Sequence, residues 1–418
     1  MDFTVAPDPA PELAAEAAGD DLSFSVPGFY GSPPTTYTAG SGRLARPRLE
    51  AAVSLSLGYD SNVFQTPSDP PDVPDTPEGD GGTLERVDSV LTRAALSARY
   101  HFLRRRTLLV LDADVYATYY WNLDDDPVDY SGSLAVSFLH RFTPRLQVSA
   151  VANAAYLTEP DFSRINTPES GGNEYLTANA KLDLSYAWTR RFSTVTSATL
   201  NRLQFVESAA EAGNYTDIGL GNEFRYLWNP RLTVLTELRH SLIDYENDPT
   251  RDAYSHFLLL GAEWRATRRV AASGRLGGSF REFAESGRRV SSPYAETALT
   301  WRLRPSAAMV WINRYGFEEP SNALDEVVSF RSGLSYQQTF SPQLSSSVAA
   351  NYIHRTTENT VEGSSFEEDI IDTALIVQYR LNRNFTLNAS AAFTLTMTST
   401  GESDYNRTRL FLGGQYEF

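Results

Sequence analysis

Apolar and polar side chains alternate one by one along most of this 418-residue sequence. The stretch 51–60 shows the pattern, and the stretch 407–418 repeats it with Leu410, Leu412 and Tyr416 on one side and Arg407 and Arg409 on the other. A period of two residues is that of a β-strand with one apolar and one polar face. No apolar run reaches the roughly 18 residues that a membrane helix needs. The chain is therefore predicted to be all-β.

Two kinds of connection alternate between the predicted strands. Short polar turns are centred near residues 105, 144, 190, 230, 268, 305, 342 and 383. Longer loops rich in Asp, Glu, Pro, Gly and Ser lie at 66–83, 122–129, 159–173, 208–214, 247–252, 284–291, 319–325, 358–366 and 398–405. Eight short turns and nine loops separate 18 strands. Short periplasmic turns, longer outer loops and an even strand number are typical of bacterial outer-membrane barrels.

Aromatic residues concentrate where the strands meet the short turns, as at Trp188, Trp228, Trp264 and Trp301. Amphipathic rings favour the membrane interface, so this clustering predicts an interfacial girdle. A soluble open sheet of such width would curl or split and leave exposed edges, whereas closure removes them. In a β-propeller or β-solenoid the repeat differs, since a propeller repeat holds four strands and this one holds two. We expect an 18-stranded antiparallel transmembrane β-barrel over residues 47–418.

Residues 1–46 differ from the rest in composition. Their acidic residues all precede the first basic residue, Arg43, and their prolines discourage regular structure. We expect an irregular, flexible periplasmic segment; an arm that docks onto a periplasmic partner and a plug in the lumen are the alternatives. The first residues lack the basic region and apolar core of a secretion signal, so we expect such a signal to have been removed already.

Composition argues against several function classes. A net charge of -16 argues against nucleic-acid binding. The chain has no cysteine, and its five histidines are scattered without metal-ligand spacing. His240 and Asp244 share a strand face, while Ser241 points to the other side, so no catalytic triad is predicted. We expect no enzyme activity, no catalytic residue, no cofactor and no metal site.

The polar face of the strands carries many charged residues, and basic ones outnumber acidic ones there. Such charges belong beside water, because an arginine facing lipid at the bilayer midplane costs roughly 2–4 kcal/mol. We predict that the substrate path through the lumen is lined by Arg93, Arg99, Asp112, Asp114, Lys181, Asp183, Glu223, Arg225, Glu237, Arg239, Glu263, Arg265, Arg275, Arg281, Glu296, Arg302, Arg331, Arg355, Arg380, Arg407 and Arg409.

These residues have two interpretations. They form an ionic lattice that stiffens a hydrated wall, or they form a track for an anionic permeant, since guanidinium groups bind carboxylates bidentately. The alternation is less regular in 192–205 and 306–318, which leaves the facing of Arg202 and Arg314 open.

The segment Gly58-Tyr59-Asp60-Ser61-Asn62-Val63-Phe64 and the acidic, proline-rich loop after it resemble the opening of a family of outer-membrane β-barrel porins encoded with exopolysaccharide synthesis systems. The resemblance extends over residues 47–418 through the repeated turns and the aromatic C-terminus. It implies an exit channel for secreted exopolysaccharide, similar in kind to the alginate export porin, that works with a periplasmic polysaccharide export protein. The location would be the Gram-negative outer membrane, in contact with lipid and lipopolysaccharide and with both termini in the periplasm.

Three functions follow from these observations. An export porin for a polysaccharide permeant is the first. The alternatives are a nutrient-uptake porin, either general or selective for sugars or anions, and a barrel that anchors a larger envelope assembly.

Overall fold

The structure is a computed structural model that describes residues 22–26, 35–39, 48–68, 86–124, 127–158, 174–206, 213–318, 325–359, 365–400 and 404–418. Two short strands, β1 (Leu22–Val26) and β2 (Thr35–Ala39), pair antiparallel in a sheet of their own. The other residues of 1–47 lie outside the described residues, and so does the prediction of an irregular periplasmic segment there.

All other strands belong to one closed sheet. They are β3 (Arg48–Asp60), β4 (Ser89–Arg104), β5 (Thr107–Tyr120), β6 (Val128–Arg141), β7 (Leu146–Leu157), β8 (Tyr175–Ala187), β9 (Phe192–Phe205), β10 (Tyr215–Asn229), β11 (Leu232–Tyr245), β12 (Ala253–Trp264), β13 (Val270–Phe283), β14 (Arg289–Arg304), β15 (Ala307–Glu318), β16 (Asp325–Thr339), β17 (Leu344–Asn359), β18 (Ser365–Arg380), β19 (Phe385–Thr398) and β20 (Tyr405–Glu417).

Each strand pairs antiparallel with the next, and β20 pairs with β3. The prediction of an 18-stranded antiparallel barrel is therefore confirmed. In the described part of the chain, Pro249–Arg251 forms a 3-10 turn between β11 and β12. No helix in the described part of the chain is long and apolar enough to cross a membrane.

The outer face of the barrel is apolar. Leu276 and Leu412 are each 67% exposed, and alternate residues of β10 show the change of face, with Leu220 exposed and Glu223 buried. Trp228 and Trp264 are also exposed, at the short-turn end of their strands. A largely apolar exterior with aromatic rings at its edge is the surface that lipid requires, and a closed barrel leaves no strand edge unpaired within it. The chain is a membrane-spanning barrel of the outer-membrane type.

The seam between β3 and β20 closes the barrel. These strands pair from Asp60 opposite Arg409 to Ala52 opposite Glu417. Beyond Asp60 the contact continues, because Ser61 N–H donates to Thr408 O over 3.0 Å. Asn62, which is fully buried, donates from Nδ2 to Asn406 O over 3.3 Å. The segment on which the family resemblance rests therefore lies at the seam.

The two strands of irregular alternation now have a defined facing. In β15, Arg314 is buried opposite Glu296 and shares a face with the apolar Val310 and Ile312, which hid the period in the sequence. In β9, Arg202 alternates with the buried Asn201 and Leu203, so its side chain lies on the outer face, where it pairs with Glu246 over 2.5 Å.

Candidate functional site

The charged residues of the predicted substrate path lie on barrel strands, except Arg265, which follows β12. They occupy the positions between the exposed apolar residues, so they share the inner face. The alternation in the sequence predicted this facing. It did not predict which side chains meet, because partners across strands depend on register.

Seven of these residues form one group on β10–β14, here called the central cluster: Glu223, Arg225, Glu237, Arg239, Glu263, Arg275 and Glu296. Arg275 is its centre. Its guanidinium lies 2.7 Å from Glu223, 2.8 Å from Glu237 and 3.2 Å from Glu296. Arg275 lies opposite Glu296 on β14 and diagonal to Glu263 on β12, whereas its contacts with Glu237 and Glu223 reach strands two and three places away.

The central cluster is almost enclosed. Arg225 is 6% exposed, Glu263 6% and Arg275 8%. Arg225 donates from Nη1 to Glu223 over 2.7 Å and also contacts Glu263. Removing one partner from such a buried network leaves an uncompensated charge, so these side chains are fixed in place. The cluster acts as a rigid part of the wall rather than as free binding groups.

A second group, here called the loop-side cluster, lies towards the loop ends of β13–β18 and consists of Arg281, Arg314, Glu318, Arg331, Arg355 and Glu368. Glu318 contacts Arg331 and accepts from Arg355 Nε over 3.0 Å, while Arg355 Nη1 donates to Glu368 over 3.0 Å. Four arginines face two glutamates, so the cluster carries positive charge. By contrast, the four glutamates of the central cluster outnumber its three arginines.

The sequence had missed three members of the loop-side cluster. Glu318 and Glu368 stand at strand ends beside acidic loops, and their facing was not assigned. Arg314 was left open because its strand carries apolar residues on both faces. Counting strand register from Glu296 to its neighbour on β15 would have found Arg314, since paired residues share a face.

Inner side chains from β8 to β15 surround a cavity of about 150 Å³. Lys181 and Asp183 reach it from β8, Asn201 from β9, and Tyr294 and Arg314 from β14 and β15. Lys181 and Asp183 pair over 3.5 Å. Phe257 meets the Tyr294 ring edge-on, with centroids 5.2 Å apart. Charged groups, amides, hydroxyls and two rings therefore share one recess.

Other predicted residues stay apart from both clusters. Arg99 pairs with Asp112, and Arg93 lies between the rings of Tyr116 and Phe411 at 4.7 and 4.5 Å. Arg407 pairs with the buried Asp60 at the seam. Arg302 and Arg380 are exposed on the inner face near the short turns.

Among the described residues, no group of three His, Cys, Asp or Glu is placed to hold a metal ion. His240 and His256 face the exterior with their Nδ1 atoms 3.0 Å apart, while Ser241 is buried on the inner face.

No known family model and no curated protein sequence matches this chain. Among solved structures it is similar to Pseudomonas aeruginosa OpdK with vanillate, at 13% identity and a TM-score of 0.46 over 88% of this chain and 99% of that one. It is also similar to P. aeruginosa OccK2 (OpdF) in complex with glucuronate, at 13% identity and 0.45 over 88% and 98%. A BenF-like porin from Pseudomonas fluorescens Pf-5 matches at 11% identity and 0.45 over 88% and 99%. The pairing of its own strands, rather than these similarities, establishes the barrel of this chain.

Proposed function

We propose that the protein is a passive outer-membrane channel for small hydrophilic anions, organic carboxylates foremost. This is the uptake alternative of the sequence analysis. In this proposal the short turns and both termini face the periplasm, and the loop ends face the exterior in contact with lipopolysaccharide.

The observation that carries the proposal is the excess of arginine in the loop-side cluster. Arg281, Arg331 and Arg355 are each at most 8% exposed, yet their charges act across the lumen because the surrounding wall has a low dielectric constant. Guanidinium groups are weakly hydrated and match carboxylate geometry, so they favour organic carboxylates over neutral solutes. An anion that has passed the loops would meet this positive field before it reached the central cluster.

The enclosure of the wall supports a small permeant rather than a polymer. In a wide, water-filled pore the inner side chains of β10–β14 would be exposed, whereas Glu223, Glu263 and Arg275 are below a tenth exposed. Side chains therefore fill part of the lumen on this side, and less width is left for an extended polysaccharide chain.

Polysaccharide export with a periplasmic export protein stays the second proposal, and a purely anchoring barrel the third. The segment that suggested export contributes its side chains to the seam, through Asp60 and Asn62. Its residue types thus have a structural explanation that holds for any permeant.

Planar-bilayer recordings under a KCl gradient test the proposal. We expect the sign of the reversal potential to show that chloride is preferred over potassium. We also expect measurable gluconate permeability when gluconate replaces chloride. Liposome-swelling assays with glucose and with longer neutral oligosaccharides provide the size comparison, and we expect the rate to fall steeply with length. Potassium preference would contradict the anion channel, and equal rates for long oligosaccharides would favour export.

A further inference from the structure

We propose that Arg314 is the residue that binds the carboxylate of a permeant in the lumen; this inference rests on the proposed anion channel. Arg314 is 7% exposed and lines the cavity between β8 and β15. Its Nη2 donates to Phe317 O over 2.9 Å. Within the described residues, its Nε and Nη1 have no hydrogen-bond partner although both atoms are buried. Nε and Nη1 belong to different edges of the guanidinium fork, each completed by Nη2, so a carboxylate beside Arg314 would accept from one of these two unpartnered donors.

The acidic residues nearest to Arg314 are occupied by other cations. Glu296 lies opposite it on β14, but Glu296 Oε1 accepts from Arg239 over 3.0 Å and pairs with Arg275 over 3.2 Å. Glu296 Oε2 accepts from the Tyr294 hydroxyl over 2.9 Å. Both oxygens of this carboxylate are therefore engaged elsewhere.

On the β16 side of Arg314, the nearby carboxylate is likewise engaged by other arginines. The residue opposite it on β16 is another cation, Arg331, and Glu318 is shared between Arg331 and Arg355. Like charges directly opposite one another on a sheet are unfavourable. An anion bound beside Arg314 would offset this repulsion and would satisfy its buried donors, whose desolvation otherwise costs free energy.

The surroundings of Arg314 are rigid enough to act as a binding site. The Tyr294 ring lies under its guanidinium, 5.8 Å from Cζ to the ring centroid. Gly316, at φ 158°, leaves room for that ring, because a Cβ at this position would lie 2.7 Å from a ring carbon. Phe257 holds the same ring from its edge. The site thus offers one charged fork with aromatic surface beside it, which suits a small organic carboxylate.

Block of the chloride current by sodium gluconate tests this role, with glucose as the neutral comparison. In the wild-type channel we expect gluconate to reduce the current in a saturable manner and glucose to have little effect. Arg314→Gln removes the charge and the fork, and we expect the apparent affinity for gluconate to fall about tenfold, as the loss of one charge-assisted hydrogen-bonded contact implies. Arg314→Lys keeps the charge without the fork, so we expect an intermediate loss.

Arg383→Gln is the matched control, since Arg383 lies in the exposed short turn between β18 and β19 and is not among the residues that line the cavity. We expect its block by gluconate to equal that of the wild type. Only folded barrels insert and conduct, so a misfolded variant is recognised by the absence of channels, and Arg314→Lys then carries the test. Wild-type block in Arg314→Gln, or no block of a chloride-selective wild type, overturns the role of Arg314 and leaves the anion channel standing. A cation-selective wild type overturns the channel proposal itself.

Discussion

The Asp60 carboxylate is fully buried, and Arg407 holds it from the neighbouring strand. Arg407 Nε lies 2.9 Å from Oδ1 and 3.0 Å from Oδ2, and Nη2 adds a further bond to Oδ2. The alternation in β20 predicted that Arg407 faces inward, but it could not predict that the side chain is committed to a partner more than 300 positions away in sequence. Arg275 is similar, because the glutamates that fix it come from three other strands. Facing follows from the sequence, whereas availability for a ligand does not.

Breaking the seam ion pair should weaken the whole barrel. Because a buried charge without its partner is unfavourable, we expect Arg407→Gln to lower the free energy of unfolding by about 3–5 kcal/mol. Urea unfolding in lipid bilayers, followed by tryptophan fluorescence, measures the change. Arg380→Gln removes an exposed arginine of the same inner face and should unfold as the wild type does. Coincident unfolding curves for Arg407→Gln and Arg380→Gln would show that the pair does not stabilise the barrel.

Among the elements, all 18 barrel strands could be predicted from the sequence, but the facing could be predicted only where alternation is strict and not for β9 and β15. In β15 the inner face carries Val310 and Ile312, so both faces are apolar and the period disappears. In β9 the outer face carries the polar Thr194 and Thr196. Their hydroxyl groups form hydrogen bonds with Trp188 and Asn222 on the same face. Tertiary contacts thus overrode the local pattern in both cases.

The short segment after β3 is an element of the seam rather than a loop of free side chains. Asn62 Nδ2 donates to Thr66 O and its Oδ1 accepts from Thr66 N–H, both over 2.9 Å, which closes a turn against β20. Since truncation removes these hydrogen bonds from buried backbone groups, we expect Asn62→Ala to lower the free energy of unfolding by about 1–3 kcal/mol. The same urea titration applies.

Phe64→Leu is the control for Asn62→Ala, because the Phe64 side chain belongs to the same segment and is 51% exposed. We expect it to leave the unfolding curve nearly unchanged. If Asn62→Ala folds with wild-type stability but loses conduction, the segment serves the permeant rather than the seam, and the family resemblance regains functional weight.

For the whole molecule, strand number, closure and the apolar exterior followed from turn spacing and alternation. The division of the inner face into a central cluster with excess glutamate and a loop-side cluster with excess arginine did not. It depends on register across many strands and on side chains long enough to reach their neighbours, and neither quantity is encoded in a local window. The average charge of the face, which leans basic, therefore concealed two regions of opposite sign.

We expect the two clusters to make the selectivity of the proposed channel depend on ionic strength. The chain as a whole carries a charge of -16, which alone would attract cations. Screening limits each charge to a range of about 10 Å at 0.1 M salt and about 3 Å at 1 M, so an ion in the lumen responds to the nearby arginines and little to distant acidic residues. We expect chloride preference at 0.1 M KCl that declines towards 1 M, measured as reversal potentials at a fixed concentration ratio. A preference that does not change with salt would show that screened charges do not set the selectivity, and a change to cation preference at low salt would show that the total charge dominates over the loop-side cluster.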